Sequence, residues 1–422
     1  MTDKICPRIW HPFTQHGLEH EMIEIARAEG AWLETATGQR IFDAISSWWV
    51  VTHGHRHPKI IAAIQRQTEQ HDQVIFAGFT HAPAEAVARG LIEIAPGGLE
   101  HVFFSDSGST SVEVALKMAL GYWRNHGEAR TRILALEHAY HGDTVGTMST
   151  GARGVFNAAY EPLLFEVGRI PFPSTGHEQA TLAALEAACR RGGVAAFICE
   201  PLVLGAGGML MYGAGTLAAM HRICKAHGVL FVADEVMTGF GRTGTLFACE
   251  QAGIAPDILC IGKGLTGGSL PLAVTMSTRA IFDAHYSTDR ARMLFHSSSY
   301  TANPIACAAA ATNLEIWKDE PVHERIALLT IQQSAHIRKI GTDNRFANAR
   351  QLGTITAFDL AGQTSGYLAD VALKLRAACV KRGVLVRPLG GTIYTMPPYC
   401  TTPEDLETVY SAISEAVDEV CA

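Results

Sequence analysis

Val229-Leu230-Phe231-Val232-Ala233-Asp234-Glu235 is an unbroken apolar run ending in two carboxylates, and Asp257-Ile258-Leu259-Cys260-Ile261-Gly262-Lys263-Gly264 is a second, ending in a lysine between glycines. Short apolar runs bounded by polar or glycine residues read as strands buried on both faces of a sheet. The pattern recurs at 102–104, 132–136 and 194–199, with helical periodicity between the runs. Strands alternating with helices indicate βαβ units around a mostly parallel sheet, so the fold class is α/β. Ligands of such sheets collect beyond the carboxyl ends of the strands, which directs attention to Asp234 and Lys263.

A chain of 422 residues with 48% hydrophobic and 18% charged side chains is neither disordered nor fibrous and provides for a large core. The length suits two lobes: a large one over 51–316, and a smaller α+β one formed by 1–50 with 317–422. Short strands are expected at 349–359 and 384–396, and a closing amphipathic helix at 403–420. A formal charge of −7 carries no electrostatic footprint for nucleic acid or an anionic membrane. The uncharged stretch 201–220 is long enough to span a bilayer, but Gly205, Gly207, Gly208, Gly213 and Gly215 break a spanning helix, so it reads as a buried glycine-rich loop. Ten cysteines spread singly from Cys6 to Cys421, with no C-x-x-C pair, read as reduced thiols. The opening residues 1–7 lack a secretory pattern, and a cytoplasmic location follows as an expectation.

Three features carry chemistry. After the strand at 102–104 comes Ser105-Asp106-Ser107-Gly108-Ser109-Thr110-Ser111-Val112-Glu113, where the capping-box spacing of Thr110 and Glu113 places a helix start. Free N–H groups there form a phosphate site, Gly108 permits close approach and Ser109 adds a hydroxyl. Asp234 and Glu235 are desolvated carboxylates in need of a cationic partner. Lys263, in apolar surroundings, loses its proton readily and becomes a nucleophile. Each feature alone has a bland reading: a strand–helix connection, a buried pair, a surface lysine in a turn. Together they match what pyridoxal phosphate requires, namely a phosphate anchor, a partner for its ring nitrogen and an amine for its aldehyde.

With these residues, and with Gly239-Phe240-Gly241-Arg242-Thr243-Gly244 between them, the chain resembles the class III aminotransferases of PLP fold type I. The flanks Trp10-His11-Pro12-Phe13-Thr14, Ser46-Ser47-Trp48-Trp49 with His53-Gly54, Thr80-His81-Ala82-Pro83, and Arg387-Pro388 through Ile393-Tyr394-Thr395-Met396-Pro397-Pro398-Tyr399 resemble, more narrowly, the branch of that family serving biotin synthesis. The resemblance implies pyridoxal 5′-phosphate bound by Gly108, Ser109, Tyr140, Glu200, Asp234, Val236, Lys263, Ser298 and Ser299. Lys263 is implied to bond the cofactor and move the proton, Asp234 to hold the ring nitrogen's proton, Tyr140 and Val236 to cover the ring faces, and Glu200 to stand behind Asp234. Substrate contacts are implied for Phe13, Trp48, Trp49, Tyr140, Asp143, Ser297, Arg387 and Tyr394. Arg387 is the expected carboxylate clamp, with Arg242 a second candidate that could instead support the loop after Asp234.

The implied substrates are 8-amino-7-oxononanoate and S-adenosylmethionine, whose sulfonium an indole face could favour. A broad ω-amino acid:pyruvate or lysine-dependent transaminase and, more remotely, a catalytically silent cofactor-binding module are the alternatives. The chain departs from the family pattern at Phe13, where many relatives carry tyrosine, and at His296-Ser297-Ser298-Ser299-Tyr300. Ser299 there replaces a threonine that reaches the cofactor phosphate of the other subunit, which implies a homodimer with shared sites. His53, His55 and His57 alternate as metal ligands could, but match a structural motif of the family, and no metal is expected.

Overall fold

The computed structural model describes residues 8–18, 22–362 and 368–421. Residues 1–7, Cys6 among them, and residue 422 lie outside the described residues. Three short antiparallel strands come first, β1 (Ile25–Glu29), β2 (Trp32–Thr35) and β3 (Arg40–Asp43). A seven-stranded sheet follows from β4 (Leu99–Ser105), β5 (Arg132–Leu136), β6 (Gly168–Ile170), β7 (Val194–Cys199), β10 (Leu230–Asp234), β11 (Ile258–Ile261) and β12 (Ala273–Thr278), in the order β4-β12-β11-β10-β7-β5-β6. β12 runs antiparallel to both neighbours and the remaining pairs are parallel, so the sheet is mostly parallel.

Every residue of β7, β10 and β11 is buried, because helices cover both faces. Alternate side chains take opposite sides. Val232, Ile258 and Cys260 pack with Val112, Ala115 and Ala119 of the helix Gly108–Asn125. Phe231, Ala233 and Leu259 join Leu185, Leu217 and Met220 from the helices Glu178–Arg190 and Ala214–Ala226. Phe197 and Phe231 meet edge to face at 5.7 Å. Truncating either to alanine is expected to cost about 3–5 kcal/mol.

The expected strands are present, with β4 longer than 102–104 and β10 carrying Asp234 as its last residue. Edge strand β6 and the antiparallel β12 are additions. The stretch 201–220 is not a plain loop: it forms a hairpin of β8 (Val203–Leu204) and β9 (Leu210–Met211), then enters the helix Ala214–Ala226. Among the described residues no helix is long and apolar enough to cross a membrane. The C-terminal region supplies β13 (Phe346–Leu352), β14 (Ile355–Leu360), β15 (Val384–Leu385), β16 (Thr392–Thr395) and the helix Pro403–Cys421. β15 pairs with β3 in parallel, so both chain ends build one sheet, while β13, β14 and β16 form another. These sheets bring Ser46–Trp49 and Tyr394 over the carboxyl ends of the central strands.

Candidate active site

Strand ends and covering loops enclose a cavity of about 410 Å³ lined by Phe13, Trp48, Trp49, Gly108, Ser109, Tyr140, Asp143, Glu200, Asp234, Val236, Lys263, Arg387 and Tyr394. Asp234 ends β10. Its Oδ2 lies 2.7 Å from His141 Nδ1, and its Oδ1 accepts the Val236 N–H at 3.1 Å. With Nδ1 protonated, His141 supplies the partner a desolvated carboxylate needs. The sequence reading assigned His141 no role, although it stands beside Tyr140.

Glu235 behaves differently from the expectation that both carboxylates take a cation. It does not line the cavity, accepts the Ala248 and Cys249 N–H groups at 2.9 and 2.8 Å and the Thr238 hydroxyl at 2.7 Å, and has no cationic partner among the described residues. Burial still pushes its pKa up. Backbone amides at a helix start have replaced the cation.

β11 delivers Lys263 at the head of the 3-10 turn Lys263–Thr266, with φ at 43°. A non-glycine residue in this region costs of order 1–3 kcal/mol and persists where its surroundings hold it. Here Asn313 Nδ2 donates to the Gly264 and Leu265 carbonyls, both at 3.0 Å, and Asn313 Oδ1 accepts from His53 Nε2 at 2.8 Å. Burial lowers the His53 pKa to about 4, so the ring is neutral. Sequence reasoning missed Asn313, which lies in an ordinary helical pattern. Burial also lowers the Lys263 pKa, outweighing Asp234 and Glu200, which raise it. Lys263 makes no salt bridge to a described residue, and its Nζ lies 5.1 Å from the centre of the Trp49 ring.

Glu200 follows β7, receiving the Tyr140 N–H at 3.0 Å and the Gly205 N–H at 2.9 Å. Burial pushes its pKa up to about 7. It thereby fixes the loop carrying Tyr140.

The helix Gly108–Asn125 starts earlier than the Thr110–Glu113 spacing indicated. Its N-cap is Ser107, which forms the capping box with Thr110. Glu113 instead accepts the Thr144 hydroxyl at 2.6 Å and the Gly146 N–H at 2.7 Å. The phosphate-type N-terminus therefore falls on Gly108 and Ser109 at the cavity wall. A Cβ on Gly108 would stand 2.4 Å from Val236 Cγ1, and one on Gly142 2.0 Å from Ser109 Oγ. Both glycines are required by close approach.

Both tryptophans line the cavity. Trp49 is buried and donates Nε1–H to the Tyr394 hydroxyl at 2.9 Å, while Trp48 lies 4.6 Å beneath the Arg387 guanidinium and meets Phe13 edge-on at 5.6 Å. Arg242 is outside the cavity. Fully buried, it donates to the carbonyls of Val51 at 2.8 Å, Pro397 at 3.1 Å and Trp49 at 3.4 Å, so it staples loops and does not meet a substrate carboxylate. Ser297, Ser298 and Ser299 do not line this chain's cavity either. Ser298 bonds Asp106, and the Ser299 carbonyl accepts from Gln73. His53, His55 and His57 go separately to Asn313, Asp43 and Glu320.

The family model for aminotransferase class-III matches residues 13–417. The chain belongs to the class-III aminotransferases. It is 46% identical to the adenosylmethionine-8-amino-7-oxononanoate aminotransferase of Synechococcus elongatus, over 98% of this chain and 99% of that one. The crystal structure of the Methanocaldococcus jannaschii protein of the same name superposes with a TM-score of 0.94 at 32% identity, covering 98% of both chains. An amine transaminase from an uncultivated Pseudomonas species, in its PLP-bound form, superposes at 0.91 with 31% identity over 98% of this chain and 99% of that one.

As a class-III aminotransferase the protein is an enzyme that uses pyridoxal 5′-phosphate, and the expectation of a silent module is set aside. The residues present fit that group. The cavity offers a helix N-terminus, a buried carboxylate facing inward and a desolvated lysine with no salt bridge to a described residue.

Proposed function

We propose that the protein transfers an amino group from S-adenosylmethionine to 8-amino-7-oxononanoate, giving 7,8-diaminononanoate for biotin synthesis. One observation carries this reading. Lys263 lies over Trp49 and Arg387 lies over Trp48, so two adjacent indoles span the distance from the reacting nitrogen to a fixed cation. A long apolar acid matches that layout, its chain along the indoles and its carboxylate on the guanidinium, which binds such groups bidentately. The names of the relatives at up to 46% identity support the same pair of substrates, whereas the solved structures named as an amine transaminase and an omega-transaminase are 31% and 29% identical. The ω-amino acid:pyruvate alternative is therefore not retained.

Bound in this cavity, the cofactor supplies an aldehyde for amine nitrogen and a protonated ring that draws off electrons. Ser109 and the N–H groups beside it hold the phosphate. Asp234, backed by His141, keeps a proton at the ring nitrogen. Tyr140 and Val236 cover the two faces, with Glu200 holding the Tyr140 loop. The Lys263 amine, easily deprotonated, takes up and returns a proton at the substrate carbon. Phe13, Asp143 and Tyr394 complete the substrate walls. Phe13 brings a ring without a hydroxyl, so donor recognition here relies on packing.

The working unit is a homodimer in the cytoplasm. Ser297, Ser298 and Ser299 lie in a segment flanked by exposed Phe295 and Tyr300, and Gln73 ties that segment to exposed Ile75 and Phe79. Such an apolar surface supports an interface through which these serines reach the partner's site. The lobes divide as 51–316 against 1–50 with 317–422, in keeping with the separate sheets at the chain ends.

The test is an assay pairing 8-amino-7-oxononanoate with S-adenosylmethionine, lysine or alanine. Turnover with S-adenosylmethionine is expected. Turnover confined to lysine or alanine, or none with this keto acid, would overturn the reading.

A further inference from the structure

Two consecutive residues do not ordinarily face one cavity: they point to opposite sides of a strand and diverge around a helix. Trp48 and Trp49 nevertheless both line the wall. The segment Ser46–Trp49 achieves this with helix-type hydrogen bonds but non-helical torsions. Ser46 has φ at 51°, Ser47 φ at 60° with ψ at −91°, and Trp49 φ at 67°. Left-handed non-glycine residues are uncommon, and they persist only where their surroundings over-determine them.

We infer that Asp43, which lies outside the cavity, is the positioning residue that holds this turn and so sets the shape of the substrate wall. Asp43 ends β3, is fully buried, and accepts the Ser47 N–H at 2.6 Å and the Ser47 hydroxyl at 3.2 Å on Oδ2. The same oxygen lies 2.9 Å from His55 Nε2, and Oδ1 faces the Ile45 N–H at 3.4 Å, so the carboxylate is itself fixed. Other anchors hold the flanks of the turn: Ser46 Oγ donates to the Met396 carbonyl at 2.7 Å, and Arg242 grips the carbonyls of Trp49 and Val51. At Ser47, the residue with the least favourable torsions, Asp43 is the anchor. Without it Ser47 relaxes toward negative φ and swings Trp48 away from Arg387 and Phe13.

The inference rests on the proposed substrate cavity and names what shapes it. It is tested on the holoenzyme with Asp43→Ala, Ser47→Gly and the double variant, reading KM and kcat for both substrates, the cofactor absorbance band and near-ultraviolet circular dichroism. Asp43→Ala is expected to raise KM about tenfold, with kcat within about twofold, wild-type cofactor loading and an altered tryptophan signal. Adding Ser47→Gly restores KM to within about twofold of wild type, because glycine takes positive φ without an anchor. That rescue separates positioning from a general loss of stability. Asp43→Asn, whose amide oxygen still accepts from the Ser47 N–H, gives an intermediate KM and supports the same comparison should the alanine variant not fold. Wild-type KM in Asp43→Ala, or a raised KM that Ser47→Gly leaves unchanged, overturns the inference. Failure of the substrate reading appears separately, as a wild-type enzyme inactive with the proposed pair, and the comparison then runs on whichever amine pair it accepts.

Discussion

Glu200 shows how a single residue couples the site to stability. Its ordinary pKa of 4.5 is raised to about 7 by burial, with the N–H groups of Tyr140 and Gly205 and the charge of His141 only partly opposing. A folded-state pKa above the unfolded one means the native protein binds the proton more tightly between those values. Stability therefore falls as pH rises from about 4.5 to about 7 and levels off above, by about 3 kcal/mol for this shift. Glu200→Gln, already neutral, escapes that fall. Denaturant unfolding of the cofactor-stripped proteins at pH 4.5 and 7.5 is expected to show the variant gaining about 3 kcal/mol on the wild type across the interval. A constant difference between the two proteins would contradict the assignment.

At the scale of elements, the helix Gly108–Asn125 joins the core to the proposed cofactor cavity. Its apolar residues pack under β10 and β11 while its first residues face the cavity. Gly108→Ala drives a methyl into Val236, one of the two residues proposed to cover the cofactor ring. The expected result is an about tenfold weaker cofactor affinity, measured by titration of the stripped enzyme, with the helix intact by circular dichroism. Unchanged affinity would show that Val236 can yield without consequence.

The elements that could be read from residue order were those whose signal is local. Runs 132–136, 194–199 and 258–261 are apolar and unbroken, and they are strands. β12 escaped because its Thr275 and Ser277 look like surface residues, yet both are buried, with the Thr275 hydroxyl bonded to the Ser111 carbonyl at 2.7 Å. The helix start was misplaced because Glu113 has capping-box spacing, but its carboxylate serves Thr144 and Gly146, more than thirty residues away.

Across the whole molecule, the residues at strand ends were legible and those that hold them were not. Asp234 and Lys263 announce themselves by breaking apolar runs. His141 and Asn313 act through partners remote in the chain, so spacing carries no trace of them, and Asp43 bonds nearby Ser47 in a turn of left-handed torsions that no residue spacing reveals. Association is the other property of this scale. Ile75, Phe79, Phe295 and Tyr300 each leave more than half of their surface exposed, at 66%, 65%, 62% and 62%. Ile75→Asp with Tyr300→Asp is expected to shift the sedimenting species from dimer to monomer and to abolish activity. A monomeric wild type, or an active dimeric variant, would contradict the shared site.

The central claim is that Lys263 is the amine to which the cofactor is bonded, opposite the carboxylate of Asp234. Borohydride reduction of the holoenzyme followed by peptide mapping tests it most directly. The account predicts the reduced pyridoxyl group on the peptide containing Lys263, lost in Lys263→Ala. Its recovery on another lysine, or an unlabelled Lys263 in a fully loaded enzyme, would contradict the account.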